Sequence, residues 1–210
     1  MPNYYELIDE WKKSKNTFVQ QLTRNVSEIN EGYPSHWIHF LERLESIYDS
    51  ADLKRVIEIG CGAGALYHIT KTHFPHLKYI GYDYSDIAIS VAIDQWGSHF
   101  KVKNYLDLKK EDFKEGDMLV ANALMDVLPD GDDALAFLLS LGVKNIHLQR
   151  VRCTGKPSYS RVYNAYDIQT YEYYHNKNDL MGLFHSHNYN VKLDIYSENI
   201  YNILLTKGLK

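Results

Sequence analysis

The chain opens on helical spacing. Leu7, Ile8, Trp11, Phe18, Val19, Leu22, Val26 and Ile29 recur every three or four residues, with a gap around 12–16. This predicts one long helix or two short ones over residues 3–30. Gly32-Tyr33-Pro34 breaks the pattern. Ser35 is a suitable N-cap, and Trp37, Phe40, Leu41, Leu44, Ile47 and Tyr48 make one apolar face over 36–48. From Arg55 the period changes. Val56, Ile57 and Ile59 form the short apolar run of a buried strand, and strand and helix then alternate. Strands are predicted over 55–60, 78–83, 100–106, 118–123 and 145–151, and helices over 63–74, 86–96 and 130–141. Ser85 caps the second of these helices; Gly97 and Gly142 follow the second and third.

Residues 152–175 carry Gly155, Pro157 and many aromatics without a clear period. The segment is too long for a plain connection and is expected to be functional or partly ordered. A helix over 178–187 and two strands, 191–196 and 200–206, complete the chain around the turn Ser197-Glu198-Asn199. The alternation predicts an α/β fold: a doubly wound, seven-stranded, mainly parallel sheet covered on both faces, with a C-terminal antiparallel hairpin and additional N-terminal helices. Residues 1–50 read as a helical cap belonging to the same domain as 51–210.

Composition narrows the setting. At 210 residues with 45% apolar and 24% charged side chains, one domain with a substantial core is expected. A net charge of −4 offers no basic footprint for nucleic acid. No apolar run approaches the roughly 20 residues of a membrane span. Glu6, Asp9, Glu10, Lys12 and Lys13 disagree with a secretory signal. With Cys61 and Cys153 alone, a disulfide framework is not expected, and a reducing cytoplasm is. Tyrosine is abundant, with 18 residues, and clusters at 159, 163, 166, 171, 173 and 174. An apolar body with a polar tip suits either a wet pocket or ordinary half-buried packing.

The candidate chemistry starts at the first strand. Gly60, Gly62 and Gly64 follow it at alternate positions, and Asp83 closes the second strand. Such a unit places a glycine turn under a nucleoside ligand and a carboxylate on its ribose hydroxyls. The spacing is G-x-G-x-G rather than the dinucleotide G-x-G-x-x-G, and Glu58 stands two residues ahead of it. The stretch E-I-G-C-G-A-G resembles motif I of the class I S-adenosylmethionine-dependent methyltransferases, a Rossmann-like family. Y-I-G-Y-D-Y-S (79–85), Y-L-D-L (105–108) and D-M-L-V-A-N-A-L-M-D-V-L-P-D (117–130) are similar to the family's later motifs, in its order. The resemblance implies a cofactor, S-adenosyl-L-methionine, held by Glu58, Gly60, Cys61, Gly62, Gly64, Asp83, Tyr84, Asp107 and Asn122. It also implies that the N-terminal helices cover this site and line the acceptor cleft, within reach of His36 and His39.

For catalysis the candidates are Asp126, His147 and His175. Asp126 stands just past strand four, where the family pattern often has histidine. Arg150, Arg152 and Tyr174 are candidates for binding the acceptor, the two arginines suggesting an anionic group. Asp126, Asp130, Asp132 and Asp133 crowd a helix start, which accounts for them without a metal site. No N-P-P-Y or D-P-P-Y follows strand four, so base and amide nitrogens are disfavoured as acceptors. The reading is a methyltransferase acting on oxygen of a small polar acceptor, sugar-like or anionic. The alternatives are nitrogen methylation of a small molecule or peptide, or a non-catalytic binding domain. Oligomeric state stays open.

Overall fold

Five parallel strands occupy the middle of the molecule in a computed structural model that describes residues 4–49, 52–166 and 168–208. They are β1 (Arg55–Ile59), β2 (Lys78–Asp83), β3 (Phe100–Val102), β4 (Asp117–Asn122) and β5 (Asn145–Thr154). Their order is β3-β2-β1-β4-β5, so the chain winds outward twice from β1. That reversal lies between β1 and β4, where the crevice of a doubly wound sheet opens at the carboxyl ends of the strands. The last strands, β8 (Tyr189–Ser197) and β9 (Ile200–Lys207), form an antiparallel hairpin, with β9 pairing against β5.

Alternate residues of the central strands feed two separate cores. Ile57, Ile59, Leu119, Ala121, Ile146 and Leu148 pack against α6 (Gly131–Ser140) and α7 (Lys177–Ser186). Val56, Met118 and Val120 face α3 (Ser35–Tyr48), α4 (Ala65–His73) and α5 (Asp86–Trp96). Near-continuous apolar strands are what burial on both faces demands. The side chain of Ser85 caps α5 by accepting from Ala88 N at 3.2 Å. Helix α3 begins at Ser35 itself, one residue earlier than a Ser35 cap requires, with Pro34 in the capping position.

The N-terminal pattern resolves into two helices, α1 (Tyr4–Lys13) and α2 (Lys15–Glu31), joined at Ser14, whose hydroxyl accepts from Thr17 N. The side chain of Ile8 lies outside the described residues, as does the junction at 50–51 between the expected cap and sheet. Helix α3 belongs to the sheet sandwich: Trp37, Phe40 and Leu44 are fully buried against it. The helices that reach the crevice are α1 and α2.

Two expectations are corrected. The expected strand over 100–106 ends at Val102, because Asn104 accepts from Leu106 N and turns the chain into a single 3-10 turn, Tyr105–Asp107. The aperiodic stretch 152–175 is built mostly as a hairpin, β6 (Tyr159–Ala165) and β7 (Ile168–Asn176). β7 pairs in parallel with the extended end of β5, through Cys153 and Thr154. Among the described residues the sheet therefore has nine strands: the expected seven and this inserted pair.

Candidate functional site

A cavity of about 550 Å³ opens above the carboxyl ends of β2, β1, β4 and β5. Its floor is local in sequence. The chain leaves β1 through Gly60 (φ 70°) and Gly62 (φ 49°), both in the left-handed region that other residues rarely adopt. A Cβ on Gly62 would stand 2.5 Å from Gln21 Oε1 of α2, so any larger residue would also have to displace the Gln21 side chain. Gln21 Oε1 in turn accepts from Ala63 N at 2.9 Å, tying α2 to the loop.

Asp83, at the end of β2, is 5% exposed and lines the cavity. Its Oδ2 accepts from Gly62 N and its Oδ1 from Ser85 N, both at 2.9 Å. Burial pushes this carboxyl up from its ordinary value, while these backbone donors oppose the rise. Two such bonds do not exhaust the roughly four acceptor positions of a carboxylate. Tyr84 and Asn122 also line the cavity.

The other half of the cavity lies over β4 and β5. Ala123 (φ 53°) leaves β4 in the left-handed region, and the loop behind it presents Leu124, Asp126, Val127 and Leu128. Asp126 is 4% exposed, and its Oδ1 is buried without a hydrogen-bond partner. Its Oδ2 lies 3.3 Å from Arg152 Nε. Burial raises the Asp126 carboxyl above its ordinary value, and Arg150 and Arg152 pull it back. Arg150 sits at a bulge in β5 with φ 58°; its backbone N donates to Asn202 Oδ1 and its Nε to Asn122 Oδ1. Left-handed non-glycine residues cost roughly 1–3 kcal/mol each and gather at functional sites. Of the six among the described residues, three, Ala123, Arg150 and Tyr166, line this one cavity.

The inserted hairpin and the first two helices form the roof. Tyr163, Tyr166 and Thr170 reach in from the hairpin, and Trp11, Lys12, Gln21 and Arg24 from α1 and α2. Tyr166 joins the two halves of the roof, edge-on to Trp11 at 6.1 Å and 5.3 Å from the Arg24 guanidinium. Sequence reading named none of these as site residues; the available signals were the N-terminal helices that the resemblance sets over the site and the cluster of tyrosines in an aperiodic segment. Lys103, Asn104, Tyr105 and Leu106 close the side beyond β3.

Several candidates lie elsewhere. His147 is fully buried on the α3 face of β5, 5.6 Å from the Phe40 ring, and burial lowers it to about 3. It is a neutral core side chain, away from the cavity. His175 is also fully buried, with Nδ1 at 2.5 Å from Asp132 Oδ1, because the end of β7 runs past the start of α6. Tyr174 lies on the outside of the hairpin, stacked on Tyr159 at 4.9 Å and bonded to Arg161. Asp107 is exposed and turned away, since the 3-10 turn presents Tyr105 and Leu106 instead. Glu58 faces the α3–α5 side, accepts from the Tyr79 hydroxyl, and is pushed by burial up to about 8. Cys61 and Gly64 lie below the cavity wall, and a Cβ on Gly64 would clash with Phe100 at 2.6 Å. His36 packs against Trp37 and Tyr196, and His39 Nδ1 accepts from Asn202 Nδ2; neither lines the cavity.

Comparison with known proteins bears on this geometry. A family model described as a methyltransferase domain matches residues 50–208. The chain belongs to that family. By family and sheet topology the methyltransferase is of class I, the kind that uses S-adenosylmethionine. No curated protein matches its sequence. Among solved structures it is similar to human N-acetylserotonin methyltransferase in complex with S-adenosylmethionine (TM-score 0.65, 14% identity), covering 99% of this chain and 61% of that one. It is similar to magnesium protoporphyrin IX methyltransferase from Synechocystis, with bound S-adenosylmethionine (0.64, 13%), over 99% of both chains. It also resembles an amino pentose methyltransferase from Micromonospora echinaspora (0.60, 11%), over 89% of this chain and 97% of that one. At such identities the likeness is one of fold. Among the described residues no helix is long and apolar enough to cross a membrane.

Proposed function

We propose that this methyltransferase transfers a methyl group from S-adenosylmethionine to an oxygen of a small polar acceptor. The observation that carries the reading is the pairing, in one cavity, of a buried carboxylate at each end: Asp83 beside the glycine turn and Asp126 beside the arginines. The residues fit the cofactor. Asp83 has acceptor capacity left for the two ribose hydroxyls, and Gly60 and Gly62 let a ligand lie close against the backbone. Tyr84 offers a ring to the base, and Asn122 stands where the methionine end would come. S-adenosylmethionine supplies a methyl group on a positively charged sulfonium, which departs as a neutral thioether.

The chain's own contribution is to bring two reactants together and to hold one proton. Positioning alone can lower such a barrier by roughly 7–11 kcal/mol. Asp126 Oδ1, unpartnered and buried at the cavity wall, would accept the hydroxyl proton as the oxygen attacks. A carboxyl raised by burial is better matched to that task than an exposed one. Arg152 and the backbone hydrogen bond from Tyr173 N to Asp126 O hold the carboxylate and its loop in place. Size supports a small acceptor, since the cofactor must share about 550 Å³ with it.

The test is calorimetric titration with S-adenosylhomocysteine, with NADH as control. Binding of the former alone supports the reading. Binding of neither, or of NADH, would replace it with a non-catalytic or dehydrogenase assignment.

A further inference from the structure

The two arginines at the end of β5 are not equivalent. Arg152 is matched in charge: its Nε lies 3.3 Å from Asp126 Oδ2 and 3.2 Å from Glu172 Oε1, ion-pair contacts without hydrogen-bond geometry. Arg150 has no carboxylate within ion-pair distance among the described residues, and its Nε donates to a neutral amide oxygen, Asn122 Oδ1, at 3.1 Å. That bond uses Nε and not the terminal pair of amino groups. The terminal pair is the end-on fork that matches the two oxygens of an oxyanion. The backbone is built to deliver this fork. Arg150 occupies a bulge with φ 58°, held by its N–H bond to the buried Asn202, and bulges re-aim the side chains they carry.

A second demand stands in the same half of the cavity, on a carboxyl that Arg150 acts on from beyond ion-pair distance. Asp126 Oδ1 is a buried acceptor with no donor. The same cavity carries apolar lining as well: Leu124, Val127 and Leu128 from the Asp126 loop, with Tyr163 from the hairpin. A neutral sugar would leave the guanidinium unmatched, and a simple anion would leave Asp126 without a donor.

We infer that the acceptor is a hydroxy acid with an apolar or aromatic body, its carboxylate on Arg150 and its hydroxyl on Asp126. This rests on the function proposed above and names the class of its acceptor. Arg152 is then a positioning residue for Asp126 and not a second anion ligand. The other carboxylate that Arg150 could meet is that of the methionine moiety of the cofactor, and the experiment separates the two.

The protein saturated with S-adenosylhomocysteine is titrated calorimetrically with 3-hydroxybenzoate and with its neutral counterpart, 3-hydroxybenzamide. The acid is expected to bind at least about tenfold more tightly, the scale of one charge-assisted pair. Arg150→Gln is expected to erase that preference and leave affinity for S-adenosylhomocysteine unchanged. Arg150→Lys, which keeps charge without the fork, is expected to retain part of it. Equal binding of acid and amide by the natural protein overturns the inference, as does no saturable binding of either. So does an equal loss of S-adenosylhomocysteine affinity in Arg150→Gln, which would assign the guanidinium to the cofactor's carboxylate. These outcomes leave the methyltransferase reading intact. Failure of the natural protein to bind S-adenosylhomocysteine overturns both. The acid-to-amide ratio is read on the natural protein, so the test does not depend on either variant folding.

Discussion

At Asp126, burial and two guanidiniums act in opposite directions, and burial is the larger. The carboxyl is raised, so a rate that needs its ionised form should climb with pH through a midpoint above the ordinary 3.8. Asp126→Asn keeps the shape and removes the base. Methyl transfer should fall by roughly 10²–10⁴-fold, the range for a positioned acid or base. Affinity for S-adenosylhomocysteine should hold. Single-turnover transfer from radiolabelled cofactor to a panel of hydroxylated acceptors measures both, and undiminished transfer removes Asp126 as the base. Asp83 makes the opposite prediction. Asp83→Ala should weaken S-adenosylhomocysteine by roughly 1.5–3 kcal/mol for each charge-assisted bond lost. Calorimetry reads this directly, with circular dichroism as the folding control, since Asp83 also anchors Gly62 and Ser85. Unchanged affinity would refute the ribose assignment. The place of Asp83 beside the glycine turn was legible because one strand–turn–helix–strand unit, 55–83, brings the two together. His147 was misleading because strand alternation puts it on the face opposite Leu148, a matter of pairing that a lone histidine in a sequence does not disclose.

Among the elements, α3 and the inserted hairpin depart furthest from their sequence reading. The amphipathic face of α3 announced a partner without saying which. Its partner is the sheet, because Phe40 and Leu44 meet Val56, Met118 and Leu204 in one core. Phe40→Ala should therefore cost about 3–5 kcal/mol of stability, the range for emptying a packed aromatic site. Urea midpoints at a constant slope give the value. A cost below about 1 kcal/mol would return α3 to the status of a peripheral cap. The hairpin was illegible for a different reason. Its edge strand β6 is largely exposed, so apolar alternation is weak there. What orders it is charge and aromatic pairing: Arg161 and Arg152 on Glu172, Tyr159 on Tyr174 and Tyr166 on Trp11.

Across the whole molecule, buried acids tie stability to pH. Glu58 stands at 4.5 in its ordinary environment and about 8 when folded. Between those values the folded chain holds a proton that the unfolded chain has released. Its contribution to stability is therefore present at acid pH and lost as pH rises through the window, at up to roughly 1.4 kcal/mol per pH unit. Asp83 and Asp126 are shifted in the same direction. Glu58→Gln should flatten the curve of unfolding free energy against pH between 4.5 and 8; an unaltered slope would place the proton elsewhere. The sequence by itself determined the alternation of strand and helix, the glycine turn, the carboxylate that closes β2 and the terminal antiparallel pair. Each is written in spacings of a few residues, where backbone geometry and hydrophobic period act directly. Tertiary structure decided which faces the histidines occupy, which arginine is matched in charge and which is not, and that an inserted hairpin completes the roof over the cavity. Those outcomes depend on contacts between residues far apart in the chain, such as Arg152 with Asp126 and Glu172, or Tyr166 with Trp11. No local pattern encodes such contacts until the sheet has brought them together.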